Sequence, residues 1–366
     1  MTRILIAGGG TGGHLMPALA VADAIAQREP DWQVVLVGAA RGVEATLLPH
    51  RPYRFHLLPA EPIYRRQWWK NLHWPLLLPR LRRATAKLLD EERPDLVLGT
   101  GGYAAGPVVW MAARRGIPTA IFEADAMPGF TTRVLAPRVR QIFLATPEAL
   151  ARLRPGPVTQ VQVTGAPVQA PAPAAAAAGR ATYAPEAGRP VLLAFGGSQG
   201  SLALNQAMAG WLGLPEAGAP RPQIIWATGR ATYDRFRAFH RPPDVHVVPF
   251  LDPIAPAYAV ADLAIARAGM MTIAELCAWG LPSILIPLPT AAADHQTFNA
   301  AAMASAGAAL HLPQPELTPD RLCRETQGLL QSPERLSRLR MAAQARGKPH
   351  ATAEILASLK ALSQAR

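Results

Sequence analysis

Short runs of apolar residues alternate with longer segments of helical periodicity along most of the chain. The first half carries ILIAG, VVLVG, DLVLGT, TAIFE and QIFLAT, and the second half carries VLLAFGG, QIIWATG, VHVVPF, DLAIARAG and SILIPLP. Apolar runs separated by helix-length segments are typical of βαβ units, in which neighbouring strands are parallel. The pattern therefore predicts an α/β fold built from doubly wound parallel sheets.

This alternation is interrupted by the tract APVQAPAPAAAAAGRATYAPEAGRP, which is rich in proline and alanine and is typical of an interdomain linker. A chain of 366 residues also exceeds what one hydrophobic core usually supports. We expect a first Rossmann-like domain over residues 1–165, a linker over 166–188, a second Rossmann-like domain over 189–340 and a C-terminal helix over 341–366. Whether that helix packs on the first domain stays open, and the two domains are expected to face each other across a cleft.

Charge and cysteine content narrow the classes of partner. With 37 Lys and Arg against 25 Asp and Glu, the net charge of +12 favours anionic partners such as nucleotides, phosphates or an acidic membrane surface. No nucleic-acid-binding motif is present, so nucleic acid is not an expected partner. Cys277 and Cys323 are too few for a disulfide framework and lack metal-ligand spacing. We therefore expect a cytosolic setting, no secretory signal, no membrane-spanning segment and no bound metal or cofactor.

Three glycine loops each follow a predicted strand and precede a predicted helix: residues 8–13, residues 101–102 and residues 196–200. Backbone N–H groups in such loops converge on an anion at the positive end of a helix dipole. Because open α/β sheets bind ligands outside the carboxyl ends of their strands, we expect all three loops to rim a binding surface. The first loop also matches G-x-G-x-x-G, but VVLVGAARG ends without the acidic residue of a dinucleotide site. A purely structural turn is the other interpretation.

Polar side chains follow the predicted strands of the second half. Glu275 lies near the start of a predicted helix, where a carboxylate could accept hydrogen bonds from both hydroxyls of a ribose. Gln296 and Asn299 open a later helix and could bind sugar hydroxyls through their amides. Compensation of the helix dipole is the alternative for Glu275, and helix capping or solvation is the alternative for the two amides.

Five segments together resemble the MurG family, the bacterial N-acetylglucosaminyltransferases of peptidoglycan synthesis. They are GGGTGGHLMPALAVA, GTGGYAAGP, EADAMPG, FGGSQGSLALNQ and MTIAELCAWGLPSILIPLPTAAADHQTFNA, and the resemblance runs from residue 3 to about residue 310. It implies a GT-B fold and inverting transfer of N-acetylglucosamine from UDP-N-acetylglucosamine. The implied acceptor is the 4-hydroxyl of undecaprenyl-diphospho-N-acetylmuramoyl-pentapeptide (lipid I), and the product is lipid II.

The resemblance also implies roles for individual residues. Glu275 is implied on the ribose, the backbone at Leu251 on the uracil, and Gln296 with Asn299 on the transferred sugar. The full set implied for the UDP-sugar is Thr11, Gly12, Gly13, Asp125, Gln169, Ser198, Leu251, Met270, Met271, Thr272, Glu275, Gln296 and Asn299. The set implied for the acceptor diphosphate is Gly10, Gly13, His14, Gly102 and Tyr103.

His14 is the first candidate for the catalytic base, because an imidazole titrates near neutral pH. Its alternative role is to anchor the loop or donate to phosphate, and Glu123 and Asp125 are competing bases. The sequence departs from the family pattern at FEAD in place of His-Glu-Gln-Asn, at Gln169 in place of an arginine, and at Ala105 in place of a hydroxyl residue. Two alternatives stay open: another UDP-sugar-dependent GT-B enzyme, such as a lipid glycosyltransferase or an epimerase, and a catalytically impaired scaffold that binds UDP-sugar or lipid.

The segment IYRRQWWKNLHWPLLLPRLRRATAK, residues 63–87, combines tryptophan, leucine and arginine, a mixture that suits a membrane interface. We expect peripheral binding to anionic lipids at the cytoplasmic face of the bacterial cell membrane, with cell-division and cell-wall synthesis proteins as further candidate partners. A core helix with a solvated basic face is the alternative, and Pro75 and Pro79 argue against one continuous helix. The residues assigned to this membrane patch are Trp68, Trp69, Arg80, Arg82 and Arg83.

Overall fold

The computed structural model describes residues 2–10, 12–42, 44–62, 68–197, 199–215 and 221–364, with the backbone alone at residues 68 and 70. The chain forms two compact units, one of Met1–Val168 with His350–Arg366 and the other of Gln169–Pro349. Among the described residues, no helix combines the length and the apolar character needed to cross a bilayer.

The first unit is built on a parallel sheet with the strand order β3-β2-β1-β4-β5-β6-β7. Its strands are β1 (Thr2–Gly8), β2 (Trp32–Ala39), β3 (Arg54–Leu58), β4 (Leu96–Gly101), β5 (Thr119–Glu123), β6 (Gln141–Leu144) and β7 (Gln160–Val163). Its helices up to the domain boundary are α1 (Gly12–Arg28), α2 (Glu44–Leu47), α3 (Trp74–Glu92), α4 (Gly102–Arg114) and α5 (Phe130–Leu135). The central strands are covered on both faces, and their apolar side chains form the core together with α3 and α4.

The second unit repeats this plan with the strand order β10-β9-β8-β11-β12-β13, again with every pair parallel. Its strands are β8 (Val191–Phe195), β9 (Gln223–Ala227), β10 (Val245–Val248), β11 (Leu263–Ala266), β12 (Ser283–Leu285) and β13 (Leu310–His311). Its helices are α6 (Pro173–Tyr183), α7 (Leu202–Gly213), α8 (Tyr233–Phe236), α9 (Ala255–Val260), α10 (Met270–Ala278), α11 (His295–Ser305), α12 (Pro319–Leu330) and α13 (Pro333–Arg346). The prediction of two doubly wound parallel sheets is confirmed.

The last helix, α14 (Ala351–Gln364), belongs to the first unit and packs against α1. Ile355 and Leu359 are buried on its inner face. Lys360 Nζ forms an ion pair with Glu29 Oε2 at 2.8 Å. The chain thus leaves the first unit after Val168 and returns to it at His350.

The proline and alanine tract interpreted as a linker contains helix α6, which lies in the second unit and packs against α9. Alanine has the highest intrinsic helix propensity, and a proline within the first turn leaves no helical hydrogen bond unmade. Gly179 allows close approach, since a Cβ there would lie 2.3 Å from the carbonyl oxygen of Pro256. The helical part of this tract is therefore packed structure.

Helix α3 begins at Trp74 and is separate from the 3-10 turn Trp68–Asn71, so the described part of residues 63–87 is not one continuous helix, although α3 continues through Pro79. Pro75 occupies the first turn, where a backbone N–H has no helical partner, and Pro79 follows one turn later. Leu77, Leu81 and Leu88 lie on the buried face of the helix, and this packing offsets the lost hydrogen bond.

Candidate active site

Each sheet has a point where the strand order reverses: between β1 and β4 in the first unit, and between β8 and β11 in the second. Connections from the two central strands lead in opposite directions there, which opens a crevice at the carboxyl ends of the strands. Strand β1 ends at Gly8, where the first glycine loop begins; β4 ends at Gly101, next to Gly102; and β8 ends at Phe195, just before Gly196. All three predicted glycine loops therefore lie at these positions.

The two loops of the first unit interlock. Gly9 N donates a hydrogen bond to the carbonyl oxygen of Gly101 at 3.4 Å. Thr100 Oγ1 donates to the carbonyl oxygen of His14 at 2.8 Å. Gly102 has a φ of +80°, and a Cβ there would lie 1.8 Å from the carbonyl oxygen of Gly9. Only glycine fits this junction.

The imidazole of His14 lies in the same junction. A Cβ at Gly101 would lie 2.5 Å from His14 Cδ2, and one at Gly102 would lie 3.2 Å from His14 Nδ1. The ring is half-buried in the first turn of α1. His14 is therefore held between the two glycine loops.

Tyr103 closes the other side of the first loop, because a Cβ at Gly10 would lie 2.4 Å from Tyr103 Cε1. Gly10, His14, Gly102 and Tyr103, all assigned to the acceptor diphosphate, are thus brought together. Gly12 and Gly13 are exposed at the start of α1, whose 17 residues present their positive end to this loop. Thr11 lies outside the described residues.

A carboxylate that sequence reasoning missed supports the first loop. Glu44 has no exposed surface, and its Oε1 accepts hydrogen bonds from Gly10 N at 2.7 Å and Ala39 N at 3.1 Å. A Cβ at Gly9 would lie 1.8 Å from Glu44 Oε1. The sequence has no acidic residue at the end of β2, but Glu44 at the start of α2 lies there in the structure and binds the backbone of the loop. In the sequence, Glu44 is an isolated acidic residue among small ones. Nothing local indicates its contact with Gly10, because the two residues are 34 positions apart.

Glu123 ends β5 as a buried side chain whose two oxygens are occupied by backbone. Asp125 N donates to Oε1 and Gly129 N donates to Oε2, each at 3.0 Å. Burial and then the charge of Asp125 raise the pKa of Glu123 to about 7. This geometry shapes the loop that carries Asp125, which is half-buried. Of the two competing bases, Asp125 is the one with exposed surface.

The glycine loop of the second unit is held against the turn that follows β9. Gly200 has a φ of +73°, and a Cβ there would lie 2.4 Å from the carbonyl oxygen of Thr228. Buried Asn205 secures the arrangement, since its Nδ2 donates to Thr228 O at 2.7 Å and its Oδ1 accepts from Trp226 Nε1 at 2.9 Å. Ser201 caps α7 by accepting from Leu204 N. The assigned Ser198 lies outside the described residues.

Helix α10 begins at the carboxyl end of β11 and carries the assigned residues Met270, Met271, Thr272 and Glu275. Met270 is buried and Glu275 is half-buried. Glu275 Oε2 accepts a hydrogen bond from the hydroxyl of Tyr258 at 2.8 Å. Burial raises the pKa of Glu275, and the Tyr258 hydrogen bond acts in the opposite direction. Tyr258 is a second residue that the sequence analysis did not identify.

The two assigned amides tie α11 to neighbouring loops. Gln296 Oε1 accepts from Leu288 N at 3.0 Å, and Asn299, which has no exposed surface, donates from Nδ2 to Ala268 O at 3.2 Å. Just before α11, Ala293 and Asp294 have left-handed φ values of 52° and 56°, a strained pair of the kind that clusters at ligand sites. The structure thus places both amides near the β11 and β12 ends.

Three further features complete the second unit's site. Arg267, buried at the end of β11, donates to Pro287 O at 3.0 Å and to Gln314 Oε1 at 2.6 Å, so it fixes the loop after β12. Leu251 is buried after β10, whereas Gln169 is exposed at the start of the second unit.

Within the described ranges, no group of three or more histidine, cysteine, aspartate or glutamate side chains could hold a metal ion. The expectation of no metal stays a prediction.

Of the residues assigned to the membrane patch, Arg80, Arg82 and Arg83 lie in α3, and Trp69 lies in the turn before it. The exposed fraction is 53% for Trp69 and 72% for both Leu72 and Leu76. Arg80, Arg82 and Arg83 are also exposed. The structure describes only the backbone of Trp68 and none of Arg65 and Arg66. Leu72 and Leu76 extend the patch, so apolar and basic side chains are exposed along the same stretch of the first unit.

Two parallel sheets of Rossmann order, each with a glycine loop at its reversal point, are the architecture of the GT-B fold. Residues 4–144 match the glycosyltransferase family 28 N-terminal domain, and residues 191–355 match the C-terminal domain of that family. The chain belongs to the family of UDP-N-acetylglucosamine–N-acetylmuramyl-(pentapeptide) pyrophosphoryl-undecaprenol N-acetylglucosamine transferases, the MurG family.

Similarity to individual proteins of this family supports the assignment. The transferase of that name from Desulforudis audaxviator is 39% identical over 99% of this chain and 98% of its own length. The Carboxydothermus hydrogenoformans transferase is also 39% identical, over 92% of this chain and 91% of its own length. The crystal structure of Acinetobacter baumannii MurG has a TM-score of 0.80 and 28% identity, and covers 99% of this chain and 100% of its own. The resemblance inferred from the sequence motifs is confirmed.

Proposed function

We propose that this protein transfers N-acetylglucosamine from UDP-N-acetylglucosamine to the 4-hydroxyl of lipid I and thereby makes lipid II. The observation that carries the proposal is the 39% identity, over nearly the full length of both chains, to a transferase whose name states this donor group and this acceptor. The glycine loops at both reversal points support it, because each leads into a helix whose positive N-terminal end attracts a phosphate.

In this proposal the second unit binds the donor. Glu275 accepts hydrogen bonds from the ribose hydroxyls, and the start of α7 faces the diphosphate with its positive end. Arg267 and Asn299 hold the loops around the sugar in place. As the bond between the sugar and UDP breaks, the positive end of α7 stabilises the negative charge that develops on the leaving diphosphate.

The first unit binds the acceptor diphosphate at the interlocked glycine loops. His14 takes the proton from the 4-hydroxyl of the acceptor, and the oxygen attacks the anomeric carbon as UDP departs from the opposite face. One C–O bond forms, one breaks, and the configuration inverts, while the proton stays on the imidazole. The half-buried position between two rigid loops suits this role, because a base must be held within hydrogen-bonding reach of the hydroxyl.

Peripheral membrane binding belongs to the same proposal. The acceptor lipid lies in a bilayer, and the exposed apolar side chains of the patch would insert at the headgroup level while the neighbouring arginines attract anionic lipids. The cytoplasmic leaflet is the proposed location. Roles in cell division and cell shape, through cell-division and cell-wall synthesis proteins, stay predictions.

A panel of radiolabelled UDP-sugars, assayed with a short-chain lipid I analogue, tests the proposal. We expect label transfer from UDP-N-acetylglucosamine and much slower transfer from UDP-glucose or UDP-galactose. Label found only in a free epimerised UDP-sugar would instead identify an epimerase. UDP binding without any turnover would identify a scaffold, and either result would reject the proposed activity.

A further inference from the structure

Tyr258 makes a directed contact with the one carboxylate assigned to the donor ribose. It lies in α9, has 3% of its surface exposed, and donates a hydrogen bond from its hydroxyl to Glu275 Oε2 at 2.8 Å. The two residues belong to different helices, so the contact depends on how α9 and α10 are placed on the sheet.

The tyrosine ring is fixed by aromatic neighbours. Its centroid lies 6.0 Å from that of Phe195 in an edge-on arrangement and 6.2 Å from that of Trp279 in a tilted one. Phe195 ends β8, immediately before the glycine loop, and Trp279 caps α10. The hydroxyl is therefore presented from a rigid base at the reversal point of the second sheet.

The bond leaves Glu275 with capacity for a ligand. An ionised carboxylate has about four lone-pair positions on two oxygens, and Tyr258 occupies one position on Oε2. Burial opposes the charged form of Glu275 and raises its pKa, and the hydroxyl bond counteracts this. An ionised carboxylate whose orientation is fixed by such a bond is a strong acceptor for two neighbouring hydroxyls.

We propose that Tyr258 is a positioning residue that orients the Glu275 carboxylate toward the 2′- and 3′-hydroxyls of the donor ribose. The inference rests on the proposed function, since it takes the donor to be a uridine diphosphate sugar. With Oε2 anchored, the carboxylate plane is set before the nucleotide arrives, so less side-chain entropy is lost on binding. Tyr258 itself need not touch the ligand.

Calorimetry with two nucleotides tests this role. UDP carries both ribose hydroxyls, and 2′,3′-dideoxyuridine diphosphate carries neither. We expect Tyr258→Phe to weaken UDP binding roughly fivefold to tenfold, because a carboxylate that is no longer anchored loses more rotamer freedom on binding, and to leave binding of the dideoxy analogue unchanged. In the transferase assay, KM for the donor should rise by a similar factor while kcat stays near that of the wild type.

Two further variants sharpen the result. Glu275→Gln should also weaken binding of UDP but not of the dideoxy analogue. The double variant should lose no more UDP affinity than Glu275→Gln does, because the two residues act through one contact. Tyr183→Phe is the matched control, since Tyr183 is also buried in the second unit and packs edge-on against His246. It should bind both nucleotides like the wild type.

Other outcomes overturn the inference. An equal loss for UDP and for the dideoxy analogue would show that Tyr258 only supports the fold, and unchanged UDP binding would show that the contact is idle. Additive losses in the double variant would likewise reject a shared role. If the wild-type protein binds the two nucleotides equally, Glu275 is not the ribose ligand, and the donor site of the proposed function fails together with the inference.

Discussion

The ring of His14 lies against the backbone of Gly101, so closely that a Cβ at residue 101 would come within 2.5 Å of His14 Cδ2. Residue 101 also has a φ of +101°, which favours glycine on its own account. The imidazole can occupy this position because residue 101, which is 87 residues away in the sequence, has no side chain. This contact joins the helix after β1 to the end of β4.

Replacing His14 should remove the base and spare the donor site. We expect His14→Ala to lower kcat by about 10²-fold or more, as general-base removal does, with UDP affinity close to that of the wild type. Steady-state kinetics with a lipid I analogue, together with calorimetry, measure both. His50→Ala is the control, because His50 is exposed in the same unit. A His14→Ala enzyme with near-normal kcat would transfer the role of base to Asp125.

Removing the Glu44 carboxylate should destabilise the first unit. Glu44→Ala removes the acceptor of two N–H groups, that of half-buried Gly10 and that of buried Ala39, and the buried one alone costs about 1–3 kcal/mol. We expect a lower urea midpoint for the transition of the first unit, whereas Glu91→Ala, which removes an exposed carboxylate, should match the wild type. Equal midpoints for all three proteins would show that water replaces the carboxylate.

Glu123 should make stability fall as the pH rises. Its pKa is about 7 in the folded protein against an ordinary value of 4.5 for an exposed glutamate, so the folded state binds more protons than the unfolded state between these limits. Stability from this group is therefore fully present below about pH 4.5 and is lost as the pH rises through 7. The loss is on the order of 3 kcal/mol at most. Unfolding curves at pH 5 and pH 8 should show a larger drop for the wild type than for Glu123→Gln. A drop of equal size in both would remove Glu123 as its source.

The membrane patch should bind anionic vesicles through two separable contributions. Leu72→Ser with Leu76→Ser should weaken binding at all salt concentrations, because both side chains are 72% exposed and available for insertion. Replacing Arg80, Arg82 and Arg83 by alanine should weaken binding mainly at low salt, where their charges are least screened. Val158→Ser is the control, since Val158 is 76% exposed elsewhere in the unit. Vesicle sedimentation measures each case, and a wild-type protein that ignores the vesicles at low salt would reject membrane binding.

The strands that the sequence predicted are those with continuous apolar runs, such as β1 and β8, because strands buried on both faces need such runs. The two missed strands of the first unit, β3 with RFHLL and β7 with QVQV, are the edges of its sheet. An edge strand is half-exposed and can mix polar with apolar residues, so its signal is weak. The fold and the family were therefore predictable, whereas the two edge strands of the first sheet were not.

The glycine loops of the site were predictable for a different reason: a strand, a glycine cluster and a helix follow one another directly in the sequence. Glu44 and Tyr258 carry no such local signal. Glu44 meets Gly10 across 34 residues, and Tyr258 meets Glu275 across 17 residues from a separate helix. Their roles arise from tertiary packing alone. The assigned contacts with donor and acceptor stay predictions.

Helix α14 gives the protein an order of assembly. A ribosome completes residues 2–168 first, yet the helix that covers part of α1 is translated only after the whole second unit. Until then the nascent first unit exposes the surface that Ile355 and Leu359 later bury, and such surfaces recruit chaperones. A premature stop codon near residue 350 would therefore harm the unit made first and leave the second unit intact. The last helix to be translated therefore contributes to the stability of the unit that is translated first.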